Sequence, residues 1–576
     1  MKRYFILLVA GSIAAFPAFG QNINPTVEVT NSYEGRLSDI RKPKQVMSVP
    51  DSLLRFNLNF DYSVFESPYK GAYDFRPYVM DMKPQPAVSN GGNFYLRTGA
   101  GYSFHPELTA VYSPDLAGRY RMSIYETLHS YFGNYDAFRN DLKNASGDYN
   151  GYDLTNRFGV EGRVDFKRSV FTYSAYCNSI AAKDTLLKRG YNTAGLDVRF
   201  NSNDDREKYF YYDAGLSFRS GKDAMSYSSA AGDLGITENL FSFDGSFGPV
   251  MSRSKRFLVD INMSFASYGD YLDAATGDLN IVPRYEFSKG KWDLSLGVKF
   301  SSFFSRDDTK SGMTPYYSMF NNGSQIIYPD FHINYTAIKS YMVFYAGITG
   351  GDKMNTYSSL VDGFHRFVSI SGIGRNPLLD NTVERADFKI GVKGNFAARF
   401  QYDLSAGYGI EDKGLFDKVY GYALPGGGYS YGTAFYYADN DRLHSDFLFL
   451  WKSGNLTVNG GLSYAYVKLD DDSNLLFMPS PFKGDIGAVY DWNRRIRFGA
   501  GCRFASSAKG YLIYDSSSSA VRIPSYADLD FSLEYIFTRK MSLWIKGSNL
   551  LDANIQNHPF YPESGISFTA GVCLNL

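Results

Sequence analysis

Along most of the chain, apolar and polar residues alternate with a period of two. In RFGVEGRVDF, Phe158, Val160, Val164 and Phe166 fall on one side and Arg157, Glu161, Arg163 and Asp165 on the other. KWDLSLGVKF sets Trp292, Leu294, Leu296, Val298 and Phe300 against Lys291, Asp293, Ser295 and Lys299. RFQYDLSAGYGI has an apolar side of Phe400, Tyr402, Leu404, Ala406, Tyr408 and Ile410. RIRFGAGCRF opposes Ile496, Phe498, Ala500, Cys502 and Phe504 to Arg495, Arg497 and Arg503, and ADLDFSLEYIF opposes Leu529, Phe531, Leu533, Tyr535 and Phe537 to Asp528, Asp530, Ser532 and Glu534. This period predicts strands with one apolar face. The pattern continues from about Asn93 to Leu576 with no linker, whereas a soluble sandwich of that length would divide into domains. The expected fold is all-β: one closed transmembrane antiparallel barrel over 93–576.

The connections support that reading. Short polar turns are expected near Lys167-Arg168, Lys289-Gly290, Lys339-Ser340, Ala397-Ala398, Ser453-Gly454, Asn493-Arg494 and Arg539-Lys540, with longer loops such as 305–325, 351–382 and 412–438 between them. Short periplasmic turns on one rim and long extracellular loops on the other characterise outer-membrane barrels, and counting between the turns gives roughly 22 strands. Closure is forced, because hydrocarbon cannot solvate an open sheet edge.

Both termini address the same compartment. MKRYFILLVAGSIAAFPAFG carries Lys2 and Arg3, an apolar stretch, and a small-x-small site before a cleavage expected between Gly20 and Gln21. It is read as a secretory signal peptide, residues 1–20, removed from the mature protein. The other end, SGISFTAGVCLNL, alternates to the final residue, with Ile566, Phe568, Ala570, Val572, Leu574 and Leu576 on the apolar side. TAGVCLNL fits polar-x-Gly-x-x-apolar-x-apolar through Thr569, Gly571, Leu574 and Leu576. It resembles the C-terminal signal by which the barrel-assembly machinery recognises outer-membrane barrels, with Leu576 where Phe is more usual. The expected location is the cell outer membrane.

Composition narrows the partners. Formal net charge is zero at pI about 7.0, which argues against nucleic acid. The 48 Tyr and 46 Phe among 576 residues suit aromatic girdles at a membrane interface, so outer-membrane lipid is an expected partner. Three Cys cannot staple a secreted scaffold of this size.

The last fifty residues also resemble the end of the TonB-dependent receptors. A penultimate strand closes on Asn549, Leu550 and Leu551, and Tyr561, Pro562 and Gly565 lead into the last strand, with Ile566 where Arg is usual. The resemblance implies a 22-stranded barrel. Tyr-rich strands and Gln21 after the cleavage site suggest a Bacteroidetes-type, Gram-negative source. The family's folded N-terminal plug is not recognisable: residues 21–92 lack its Arg-Gly strand and Asp-Gly hairpin. With Pro25, Pro43, Pro50, Pro68, Pro77, Pro84 and Pro86, they read as an extended segment in the lumen or periplasm. Thr26, Val27, Glu28, Val29 and Thr30 resemble the short box that TonB engages by strand addition; the alternative is a strand anchoring this segment to the rim or to a partner.

Catalytic chemistry is thin. The six His and three Cys form no metal motif, and no phosphate loop, nucleophile elbow or cofactor fingerprint occurs. His365 beside Asp362 and His444 beside Asp441 are the only arguable hydrolytic pairs, and no enzyme is expected. Inward charges such as Arg157, Glu161, Arg163, Lys291, Asp293, Lys299, Asp528, Asp530 and Glu534 would either tune a passage or cross-pair between strands. Residues 420–442, with Tyr420, Tyr422, Tyr429, Tyr431, Tyr436 and Tyr437, read either as recognition-loop contacts or as an aromatic girdle with a glycine-rich hairpin. The expected function is a subunit or docking scaffold of an outer-membrane transport, export or biogenesis assembly, with other outer-membrane or periplasmic proteins as partners. The alternative is a solute-uptake channel, passive or TonB-linked with a separate plug chain.

Overall fold

The computed structural model describes residues 93–576 except for parts of the connections, the longest being 134–150, 308–315, 319–326 and 368–378. The expected signal peptide, the expected TonB-box-like segment and the rest of residues 1–92 lie outside the described residues. Of the 27 strands among the described residues, five short ones sit in the connections (Tyr316–Ser318, Ala508–Ile513, Ser518–Ile523, Gln556–His558 and Tyr561–Pro562), and the other 22 form one antiparallel barrel. It closes where the first strand, Phe94–Tyr102, pairs with the last, Ser567–Asn575, from Tyr95 opposite Asn575 to Tyr102 opposite Phe568. The Phe94 N–H donates to the Leu576 carbonyl at 2.9 Å and the Leu576 N–H to the Phe94 carbonyl at 2.8 Å. Leu576 thus takes part in the seam that closes the sheet and leaves no open edge.

Side chains follow the sequence period, turned inside out relative to a soluble protein. Outward residues such as Phe158, Ile390 and Phe568 are 49%, 64% and 54% exposed, while the inward Asp528 and Thr569 are buried. That is the arrangement of a barrel with lipid outside and a polar lumen. Some inward charges pair across strands, Arg503 with Asp528 at 2.5 Å and Arg497 with Glu534 at 3.5 Å, while Arg163 pairs with Asp165 along its own strand at 2.7 Å. Arg157 lies over the rings of Tyr125 and Tyr176, and the Lys299 ammonium donates to the Gly350 carbonyl at 2.6 Å. Asp528 and Glu534 are thus used in cross-strand pairs, and Arg157 and Lys299 in contacts with rings and backbone.

Tight turns occupy one rim. Gly290, Ser340, Ala397, Gly454, Asn493 and Arg494 all adopt left-handed φ there, as the twist of short hairpins demands. Toward the opposite, extracellular rim the outward apolar band ends at a polar row that runs from strand to strand: Asn156, Ser179, Asn192, Lys222 and Thr237. One step lower Ser220 donates to Asn239 at 2.8 Å, and the apolar side of that strand begins at Phe241. Above this row the strands continue beyond the hydrocarbon.

One expected boundary is wrong. Residues 412–438 are not a loop: the strands Phe400–Ala423 and Tyr429–Ser453 run through them, leaving only 424–428 as the connection. Their register shifts between Glu411 and Gly414, with Lys413 left-handed. This bulge breaks the alternation that marks a strand in sequence. The hairpin Ala508–Ile513/Ser518–Ile523 braces the extension through parallel pairing of Val419 with Leu512 and Tyr420 with Ile513. A small core of Val419, Phe477, Ala508, Leu512 and Ile523 forms between them.

Candidate functional site

The largest buried apolar cluster lies at the extracellular mouth and is built around a connection. Leaving the strand Met342–Met354, the chain forms a capping box: Thr356 Oγ1 accepts the Ser359 N–H at 3.2 Å and Ser359 Oγ accepts the Thr356 N–H at 3.0 Å. A two-way cap of this kind satisfies otherwise orphaned N–H groups and starts the 7-residue helix Tyr357–Gly363. Tyr357, Leu360, Val361, Phe364 and Phe367 pack against Ile180, Tyr191, Ile236, Ala266, Tyr268 and Leu272 of the barrel wall and its connections. A ring of 22 strands is about 40 Å across at a spacing of 4.8 Å and a tilt near 40°. The connection leaves the thirteenth barrel strand and packs on wall residues from the fifth to the tenth, so residues 355–367 form a strap reaching across the mouth.

Polar anchors fix the strap at three arcs of the wall. On the far side Arg189, wholly buried, pairs with Asp223 at 3.0 Å and donates to the His365 and Phe367 carbonyls at 2.8 and 3.0 Å, with its guanidinium 4.5 Å from the Phe367 ring. The Tyr357 hydroxyl donates to Asp223. Glu238 accepts the Tyr191 hydroxyl and the Ser358 N–H, each at 3.1 Å. Outward neighbours of Glu238 are polar, so it stands outside the hydrocarbon. Burial pushes its carboxyl pKa above the ordinary value, against the pull of the Ser358 hydrogen bonds and of Arg219. Asp153 takes His365 at 3.0 Å and Arg366 at 3.2 Å.

On the near side Asn355 donates to Thr382 at 3.0 Å, the Asp380 N–H donates to the Tyr437 hydroxyl at 3.2 Å, and Phe367 meets the Phe435 ring at 5.0 Å. The third arc is the last long connection. His558 stacks on Phe364 with centroids 4.1 Å apart and contacts Asp417 at 3.0 Å and the Gly363 carbonyl at 3.2 Å, and Tyr561 meets Phe364 edge-on.

Several residues singled out in sequence take other roles here. His365 pairs with Asp153 rather than Asp362, which instead meets Arg219 at 3.6 Å. His444 pairs with Asp387 at 2.8 Å rather than Asp441. Tyr437 is buried against the strap and is not presented at the surface. Tyr436 is half-buried with the Lys418 ammonium 4.1 Å from its ring, Tyr420 pairs with the bracing hairpin, and Tyr422, Tyr429 and Tyr431 lie on the paired strands. Thr569 and Gly571 face inward at the seam, Thr569 against His105 and Gly571 under Trp544; Leu576 faces out. Arg189, Asp223 and Glu238 went unnoticed in sequence; the signal that pointed to them was the apolar set Leu360, Val361, Phe364 and Phe367 inside a supposed loop.

At the opposite end of the lumen a recess of about 610 Å³ is lined by Arg121, Arg163, Arg199, Glu161, Asp197 and Asp244. Its mixed signs give no net preference for one charge.

No protein-family model and no curated protein sequence matches the chain. Solved structures do match in fold. The FrpB iron transporter of Neisseria meningitidis superposes with a TM-score of 0.62 at 10% identity, over 85% of this chain and 82% of that one. The copper transporter OprC gives 0.58 at 12% identity over 84% and 80%. The ferric-catecholate import receptor Fiu of E. coli gives 0.60 at 10% identity over 84% and 82%. The chain therefore has the 22-stranded fold of the outer-membrane TonB-dependent receptors, which places it with outer-membrane barrels.

Proposed function

We propose that the protein is a non-enzymatic outer-membrane barrel whose lumen is shut from outside by its own strap, and that it works as a subunit or docking scaffold of an outer-membrane transport assembly. The observation that carries this reading is the strap, residues 355–367. It is held to three arcs of the wall by buried ion pairs, hydrogen bonds and aromatic contacts, so a freely open diffusion pore is the function it supports least. The extended hairpin 414–438, braced by 508–523, raises a rigid surface above the membrane where a partner can dock. Other outer-membrane or periplasmic proteins are the partners this reading needs.

The second reading is gated uptake, favoured by the fold shared with iron and copper transporters. One experiment separates the two. The tagged full chain is extracted from its native outer membrane in mild detergent, its mass and companions are determined, and its conductance is measured in a planar bilayer. A fixed complex with low conductance supports docking. A lone barrel of about 62 kDa that conducts refutes it and supports the channel. If residues 26–30 engage TonB, changing Val27 and Val29 to Pro abolishes uptake; unchanged uptake removes that coupling.

A further inference from the structure

Three lysines on the outer surface have no partner that the fold explains. Lys183 and Lys188 end and begin neighbouring strands, Ser169–Lys183 and Leu187–Ser202, and stand directly opposite each other in register. Lys222, on the next strand, lies in the outward polar row opposite Asn192. All three are exposed, and none forms an ion pair with a described residue. Like charges placed directly opposite on a sheet destabilise the pairing, so the Lys183–Lys188 register is a local cost. The carboxylates of the same strands do not relieve it. Asp153 and Asp223 point into the lumen, where His365, Arg366, Arg189 and Tyr357 engage them.

The depth of the cluster is fixed by two independent features. The polar row holding Lys222 marks the end of the hydrocarbon band. Phe104, Phe132 and Tyr152, with neighbouring ring centroids 5.6 and 6.3 Å apart, form an outward aromatic group beyond that row and level with Lys183, which lies opposite Tyr152. Such girdles sit at headgroup level. The lysines therefore stand in the headgroup layer of the outer leaflet, where a lysine can lay its apolar stem on the barrel and extend its ammonium group to water or a headgroup.

We propose that Lys183, Lys188 and Lys222 form a docking site for the phosphorylated headgroup of an outer-leaflet glycolipid. A phosphate bridging Lys183 and Lys188 converts their repulsion into two favourable contacts, and Lys222 engages a second anionic group nearer the acyl chains. The cluster lies on the outside of the barrel, so it is independent of whether the lumen conducts or docks a partner.

The test titrates the detergent-solubilised full chain with purified lipid A in mixed micelles. The variants are the triple change Lys183→Gln, Lys188→Gln, Lys222→Gln, the single change Lys188→Gln, and the triple change to Arg. Heat-modifiable migration on a gel confirms that each is a folded barrel. The Gln triple variant should bind lipid A about tenfold more weakly or worse, since each cation near an anionic surface contributes appreciably, with the single variant intermediate and the Arg variant near wild type. Dephosphorylated lipid should bind no better to wild type than to the Gln variant, and inorganic phosphate should not displace lipid A at equal concentration. Unchanged affinity in the folded Gln variants overturns the proposal, as does equal binding of the dephosphorylated lipid. Displacement by inorganic phosphate would reduce the site to a simple anion site and refute the lipid assignment. If the triple variant does not fold, the single variant decides.

Discussion

Replacing Arg189 by Met should free the strap without unfolding the barrel. Arg189 makes two kinds of contact, and they belong to different equilibria. Its pair with Asp223 joins two wall strands and persists whether the strap is seated or lifted. Its bonds to the His365 and Phe367 carbonyls at 2.8 and 3.0 Å exist only when the strap is seated. A hydrogen bond to a charged group contributes about 1.5–3 kcal/mol, so losing two costs the seated state about 3 kcal/mol at the lower end. That is about a hundredfold rise in the lifted fraction. The strap supplies its own reporter, because Arg366 is a trypsin site and is only 7% exposed. When opening and closing are fast relative to cleavage, the cutting rate follows the lifted population. Cleavage between Arg366 and Phe367, followed by mass spectrometry on the intact protein in detergent, should therefore speed up about a hundredfold in Arg189→Met. Asp223→Asn, which keeps both strap carbonyl bonds, should speed it much less. An unchanged rate in Arg189→Met, with heat-modifiable migration intact, would refute the assignment of Arg189 as the far-side anchor.

Glu238 makes closure pH-dependent. Burial raises its carboxyl pKa in the seated state, so its contribution is fully present below the ordinary carboxylate value and is lost as pH rises through the raised one. Conductance of wild type should thus increase from acid toward neutral pH, and Glu238→Gln should flatten the profile. On the lipid face, Ile390→Arg places a charge at a site that is 64% exposed to hydrocarbon. The cost is about 2–4 kcal/mol, seen as a smaller heat-modifiable fraction, whereas Lys389→Ala on the lumen side should assemble normally. At the seam, Leu576→Asp removes the apolar end of the proposed assembly signal and should lower the inserted yield sharply in cells. Leu576→Phe should match or exceed wild type, and equal yields for all three would discard the signal.

The barrel was legible because every spanning strand must answer the same two solvents. Phe158 and Arg157, or Phe531 and Asp530, can occupy only one face each, and their parity places them without any tertiary knowledge. Two features escaped this logic. At Glu411–Gly414 the bulge inserts an odd step, so the apolar parity changes side and the paired extension reads as a glycine-rich loop. The strap escaped because parity says which residues face the lumen, not which of them meet across it. Arg189 and the His365 carbonyl are 176 positions apart, and nothing local links them. The inward charges were read either as tuning a passage or as cross-pairing, and Asp528 and Glu534 pair across strands with Arg503 and Arg497. Arg189, Asp223 and Glu238 look identical in sequence and hold the strap instead.

Strand length separates these two populations of inward charge. A hydrocarbon band of about 25 Å needs roughly ten residues of a strand tilted near 40°. The strands Leu187–Ser202 and Phe210–Tyr227 have 16 and 18 residues, and Phe400–Ala423 and Tyr429–Ser453 have 24 and 25. The surplus lies beyond the polar row, where spanning no longer demands it. It is there that Arg189, Asp223, Asp417 and Tyr437 project inward, and each of them touches the strap or its His558 support. The extensions therefore form a rigid collar that carries anchors above the membrane, where the outward faces are free to be polar and the inward faces can bury charge against a loop. A barrel meant only to span would not need this collar, and a strap without it would have no fixed points on the far wall.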